Sequence, residues 1–144
     1  MATPSPLLLD THAWLWYSLG ERSLGSNARK AIDAAQANAK LYVSVASCWE
    51  IGQLVAKKRL SLSLPIRSWM HRSIQSMELK VIDLRRRQVM DAVDMIGQIE
   101  SKDPFDSFIL AAAAHARADL VSADGHMKNY AKSSGYLGIV DARK

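Results

Sequence analysis

The sequence predicts an α/β domain built on a short central parallel sheet of about four or five strands flanked by helices. Three observations carry this reading. Brief apolar runs recur along the 144 residues: PLLLD, KLYVS, LKVID, DLVSAD and LGIVD. Longer stretches rich in good helix formers separate them, as parallel strands joined by helical crossovers require. The runs are apolar throughout rather than alternating, which suits strands covered on both faces.

In chain order, PLLLD reads as a buried strand over about 6–10, and a helix follows from Thr11. SLGSNARKAIDAAQANAK is alanine-rich and predicts a helix over about 26–39. KLYVSVAS supplies a second strand at about 41–44, and SCWEIGQLVAKK a helix with Ser47-x-x-Glu50 as a capping box. RLSLSLP is a break, and the proline that opens PIRSWMHRSIQSM suits the first turn of a helix. LKVID is a third strand. LRRRQVMDAVDMIGQI reads as a helix with Val89, Val93 and Ile96 spaced for a core face. DPFDSFILAAAAHARA is a strong helix with Asp103 as cap and Pro104 in its first position. DLVSAD carries a fourth strand at about 119–122, HMKNYAKSSG a short helix, and LGIVD a fifth strand. No repeat, low-complexity segment or linker divides the chain, so residues 1–144 are expected to form one domain.

Composition narrows the function classes. A hydrophobic content of 49% supports a real core and excludes a disordered tail. The formal net charge of +5 leans toward an anionic partner such as nucleic acid. A single cysteine, Cys48, excludes an internal disulfide and a cysteine-rich zinc cluster, and reads as a small buried hydrophobe. The N-terminus lacks the basic segment and apolar run of a signal peptide. No stretch approaches the roughly 18 apolar residues of a membrane span. A cytoplasmic protein without a membrane partner is expected.

The acids point to chemistry. Asp10 ends LLLD and Asp124 follows LVSA, so both fall at the carboxyl ends of strands, where open parallel sheets bind ligands. Glu50 and Asp106 sit in the early turns of helices and can reach the same edge. Each acid also has a local role: Asp10 suits a helix cap, Glu50 the capping box, Asp106 the positive end of a helix dipole, and Asp124 a turn before Gly125. The argument for a site therefore rests on the set. Four converging carboxylates raise one another's pKa unless a cation intervenes. Oxygen-only ligation selects Mg²⁺ or Mn²⁺ over zinc. The chemistry this suits is phosphodiester hydrolysis.

The strings LLLDTHAWLW, YVSVASCWEI, KDPFDSFILAAAA and LVSAD occur in this order and span essentially the whole chain. In them the sequence resembles the PIN-domain family and, within it, the VapC-type toxins of bacterial type II toxin–antitoxin systems. The resemblance implies a parallel sheet flanked by helices and a Mg²⁺- or Mn²⁺-dependent endoribonuclease acting on RNA. It implies a metal site of Asp10, Glu50, Asp106 and Asp124, a cognate antitoxin and a homodimer. Asp103 is carried as a cap or secondary contributor, and Thr11, Ser44 and Ser122 as supporting hydroxyls. Two positions depart from the pattern. Ser107 stands where the family often has arginine, and Ser101-Lys102 where a histidine–arginine pair often stands, so a basic group near the scissile phosphate must be weaker or come from elsewhere, Lys102 in part.

A catalytically weak or inactive PIN-like module for RNA binding or assembly is the alternative reading. A Mg²⁺-dependent phosphotransferase ranks below both, because the chain has no glycine-rich phosphate loop. Arg85 to Arg87 with Lys57, Lys58 and Arg59 form either an RNA-holding surface or solvated faces. Trp14, Trp16, Trp49 and Trp69 read mainly as core or interface residues. Of the four histidines, His12 lies nearest the acids.

Overall fold

Leu7–Leu9 form the first strand, β1, in the computed structural model, which describes residues 5–101, 103–135 and 137–144. β2 (Leu41–Ser44), β3 (Lys80–Ile82), β4 (Asp119–Ser122) and β5 (Ile139–Asp141) complete one sheet. The strands lie in the order β3-β2-β1-β4-β5, and every pairing is parallel. The helices are α1 (Thr11–Ser18), α2 (Ser26–Ala37), α3 (Val45–Ala56), α4 (Ile66–Ser76), α5 (Arg86–Asp94), α6 (Pro104–Ala116) and α7 (Gly125–Ser134).

β1 shows why its sequence is apolar throughout. Side chains alternate across a strand. Leu7 and Leu9 enter a core with Trp14, Ile32, Leu41, Val43 and Ile51. Leu8 faces the other way, into a core with Leu110, Ala113, Leu120 and Met127. Both faces are covered, so every position must be apolar. The second core explains the alanines of α6: Ala111, Ala112 and Ala113 are buried and let that helix lie close against the sheet.

Several expected boundaries move. β1 drops Pro6 and Asp10, and α2 ends at Ala37, with Ala39 in a left-handed conformation at φ 54°. α3 starts at Val45, capped by Ser44, whose Oγ accepts from the Ala46 N–H at 3.1 Å. Ser47 is therefore inside the helix and fully buried, and no capping box forms with Glu50. Pro65 sits at the cap of α4 rather than within its first turn.

The expected core face of α5 is also wrong. Val93 and Ile96 are 54% and 74% exposed, while Gln88, Ala92, Met95 and Ile99 are buried. α5 ends at Asp94, so a pattern drawn on to residue 99 extrapolates one helix past its end. The buried Gln88 makes a local contact: its Oε1 accepts from the Arg85 N–H at 3.2 Å at the start of the helix. Of the tryptophans, Trp14 and Trp69 are buried with ring centroids 5.9 Å apart, Trp16 is half-buried and Trp49 is 63% exposed. Cys48 is half-buried against the first core.

Candidate metal and active site at the carboxyl edge of the sheet

β1 and β4 are neighbours at the centre of the sheet, with Leu9 in register with Val121. β2 lies on the far side of β1 and β5 on the far side of β4, so the chain departs in opposite directions from this pair. Such a switch point opens a crevice at the carboxyl ends of the two strands. Asp10 leaves β1 there, with its backbone N–H donating to the Val121 carbonyl at 3.0 Å. A cavity of about 890 Å³ lies at this edge, and Asp10, Glu50, Asp103, Asp106 and Asp124 all line it. Residues from β1, α3, α6 and β4 thus meet in one place despite their separation in sequence.

Capping and clustering prove to be the same arrangement. Asp10 Oδ1 accepts from the Ala13 N–H at 2.8 Å, capping α1. Asp103 Oδ1 accepts from the Phe105 N–H at 3.0 Å and caps α6. Asp124 Oδ1 accepts from the Met127 N–H at 2.9 Å and caps α7, so the expected turn before Gly125 is a helix start. Three helix N-termini therefore point toward one pocket, and their partial positive charges lower the cost of gathering acids there.

The hydroxyls divide unequally. Ser122 Oγ donates to Asp10 Oδ2 at 2.6 Å and accepts from the Asp124 N–H at 3.0 Å, tying the two strand-end acids together. Thr11 Oγ1 donates to Glu50 Oε1 at 2.8 Å, joining α1 to α3, and lies 3.0 Å from Ser47 Oγ. Ser44 does not serve in this way; its oxygen caps α3. Ser101 was missed: it donates to Asp106 Oδ2 and accepts from the Asp103 N–H at 3.1 Å. Its position, two residues before a capping aspartate, was the available signal. Ser107 is buried, and Lys102 lies outside the described residues.

Electrostatics separates this edge from an ordinary set of caps. Burial pushes Glu50 up to about 7, opposed by the Thr11 hydrogen bond and reinforced by the charges of Asp103, Asp106 and Asp10. Burial likewise raises Asp106 to about 6; the Ser101 hydrogen bond opposes this, and Asp124, Asp103 and Asp10 add to it. Asp10 is raised chiefly by burial, against the bonds from Ser122 and Ala13. The carboxylates therefore feel one another, with His12 opposing the rise at Asp10.

Do these residues fit a cation? Their donors are all oxygen, which suits Mg²⁺ or Mn²⁺. Among the described residues, no three acids or histidines stand close enough together to ligate one ion by themselves. That spacing argues against a closed protein cage. It agrees with Mg²⁺, which takes one or two carboxylates and keeps several waters. The fit is to a hydrated divalent ion that one or two of these carboxylates would hold directly.

His12, singled out in the sequence beside Asp10, lines the same cavity; Trp16, Glu100, His126 and Arg143 line it too and were missed. Of the expected basic surface, Arg85 to Arg87 are exposed after the carboxyl end of β3, and Lys57 to Arg59 are exposed after α3.

A parallel sheet with acids gathered at its switch point defines a class, and comparison names it. The PIN domain model matches residues 7–133, and the chain belongs to that family. Within it, the chain is 26% identical over 124 residues to ribonuclease VapC22 of Mycobacterium tuberculosis (strain ATCC 25618 / H37Rv), covering 86% of this chain and 91% of that protein. Among solved structures, VapBC2 from Rickettsia felis bound to a promoter DNA fragment superposes with a TM-score of 0.68 at 15% identity, covering 93% and 96% of the two chains. A toxin–antitoxin complex from Klebsiella pneumoniae gives 0.62 at 19% identity, covering 94% and 97%. At these identities the structural likeness speaks for the fold.

Proposed function

We propose that this chain is an endoribonuclease that hydrolyses RNA phosphodiester bonds with Mg²⁺ or Mn²⁺, and that it is the toxin of a toxin–antitoxin pair. The observation that carries the reading is the convergence of Asp10, Glu50, Asp106 and Asp124 on one cavity, where burial and the neighbouring carboxylates raise the pKa of Glu50 and Asp106. The curated relative is a ribonuclease, and the structural neighbours are toxin–antitoxin assemblies. We take residues 1–144 as one PIN-like domain, since β5 joins the same sheet beyond the matched segment.

In this reading Asp10, Glu50, Asp106 and Asp124 would share the ion, one or two binding directly and the others through its waters, with Asp103 beside them. A bound divalent cation supplies charge stabilisation to the phosphodiester and eases the ionisation of water. The protein's own contribution is positional. Ser122 and the Ala13 N–H fix both oxygens of Asp10. Thr11 orients Glu50 and Ser101 orients Asp106, as outer hydrogen bonds orient metal ligands elsewhere.

The exposed Met90 and Val93 of α5, Ile96 just beyond its end, and Trp49 offer apolar surface of the kind that a second copy or an antitoxin covers. Among the described residues no helix is long and apolar enough to cross a membrane. The second reading, an RNA-binding module without catalysis, is favoured by one observation: among the described residues no three acids or histidines are preassembled as ligands.

The test is cleavage of an RNA panel with Mg²⁺, Mn²⁺ or EDTA. Cutting with metal alone, lost in Asp10→Asn with the fold retained, supports the nuclease. Asparagine preserves the cap of α1, so the substitution isolates the charge. Metal-independent RNA binding without cutting establishes the second reading instead.

A further inference from the structure

The acidic pocket has a difficulty that its metal does not fully remove. Six carboxylates line it, and the proposed substrate is a polyanion. The family pattern offers an arginine beside the acids, but here that position is the buried Ser107. A cation is nevertheless present in the same cavity. Arg143 lines it, with its guanidinium carbon 5.3 Å from the centre of the Trp16 ring. Trp16 belongs to the helix that Asp10 caps, and His12 stands beside it with ring centroids 6.3 Å apart.

The backbone of Arg143 is well placed. Its N–H donates to Asp141 Oδ1 at 2.9 Å, and Asp141 is itself bonded to Lys128 Nζ at 3.0 Å. Ala142 is fully buried; its N–H donates to the Ser122 carbonyl at 3.0 Å and its carbonyl accepts from Gly25 at 2.8 Å. Lys144 is tied on the other side by the Asn27 N–H at 2.9 Å. Ser122, which fixes Asp10, thus also fixes the segment that carries Arg143. Gly25 is needed here, because a Cβ at that position would collide with the Lys144 backbone.

The guanidinium is stacked but not neutralised. Among the described residues Arg143 makes no ion pair, although acids line the same cavity. A stacked guanidinium holds its plane while keeping its edge N–H donors for a bidentate oxyanion. Resting on the nuclease reading, we infer that Arg143, held flat on Trp16, binds a backbone phosphate of the RNA and positions the substrate strand across the acidic pocket. It supplies the basic contact absent at Ser107 from the opposite end of the chain.

The experiment pairs cleavage with binding. Initial rates are measured for wild type, Arg143→Ala, Arg143→Lys and Trp16→Leu, and binding of a fluorescein-labelled single-stranded RNA is followed in EDTA across salt concentrations. Arg143 is exposed, so its removal leaves the fold intact. Arg143→Ala is expected to raise KM about tenfold with kcat within about threefold, as loss of one charge-assisted phosphate contact implies. Its log–log salt slope should fall by about 0.7, the value for one phosphate on a single strand. Arg143→Lys should restore the salt slope but only part of KM, because lysine lacks the fork. Trp16→Leu should raise KM with the charge still in place. If wild type cuts RNA and Arg143→Ala matches it in KM and salt slope, the inference is overturned while the nuclease stands. If wild type cuts no RNA with either metal, it is the nuclease reading that fails.

Discussion

Asp10 and Trp14 are four residues apart, and both bury polar atoms, yet their surroundings could hardly differ more. Trp14 Nε1 donates to Ser73 Oγ at 2.8 Å; Ser73 lies 3.0 Å from Ser18 Oγ, and Ser18 reaches Met77 Sδ at 3.1 Å. Every member of that chain is neutral, and every donor has an acceptor. At Asp10 the local hydrogen bonds are equally complete, but the next neighbours are more carboxylates. The first cluster is finished by the protein itself. The second satisfies its hydrogen bonds and leaves a charge imbalance that only something from outside can correct. Complete hydrogen bonding marks structure in both places; unbalanced charge marks function in one.

The contrast can be broken most forcefully at Asp106. Asp106→Asn is expected to lower metal-dependent cleavage by more than about 100-fold, since even outer partners of metal ligands are worth 10–100-fold. The same change should stabilise the metal-free protein at pH 8, where it removes one of several repelling charges, and do little at pH 5, where Asp106 is already protonated. Paired thermal melts in EDTA check this. A destabilised variant at pH 8 would place Asp106 with the structural cluster.

Ser73→Ala is the converse. It strands the buried Trp14 N–H and should cost about 1–3 kcal/mol of stability. Activity per folded molecule should not change, which denaturant titration and rate measurements on one sample can establish.

The smallest effect concerns pH. Glu50 and Asp106 rise from 4.5 to about 7 and from 3.8 to about 6 in the folded protein. A group whose folded pKa is raised binds its proton more tightly when folded. Its stabilisation is complete below the unfolded value and disappears as pH climbs through the folded one. Metal-free protein should therefore lose a few degrees of Tm between about pH 4 and pH 7. Saturating Mg²⁺ should reduce that loss, since the ion binds the ionised form. An identical pH profile with and without metal would contradict ligation by these acids.

Local signals made much of this legible. The strand runs, most helix starts and the caps at Asp10 and Asp103 depend on a few neighbouring residues, because propensity and capping act within a turn or two; Asp124, read as a turn, caps α7 instead. The bounds of β2 and β4 come directly from LYVS and DLVS. The fold class and the acids with chemical promise followed from the same short-range patterns. What the tertiary structure alone decided is which faces turn inward and which distant residues meet. Val93 and Ile96 keep helical spacing and still face solvent, because the partner of α5 is chosen by packing against α6. Ser101 gains its meaning from the carboxylate it reaches. Arg143 and Trp16, at opposite ends of the chain, share a pocket only because β4 and β5 carry the C-terminal segment back beside β1. Sequence patterns report what a residue can do over a few positions; the charge balance of a pocket is a sum over residues that only the folded sheet brings together.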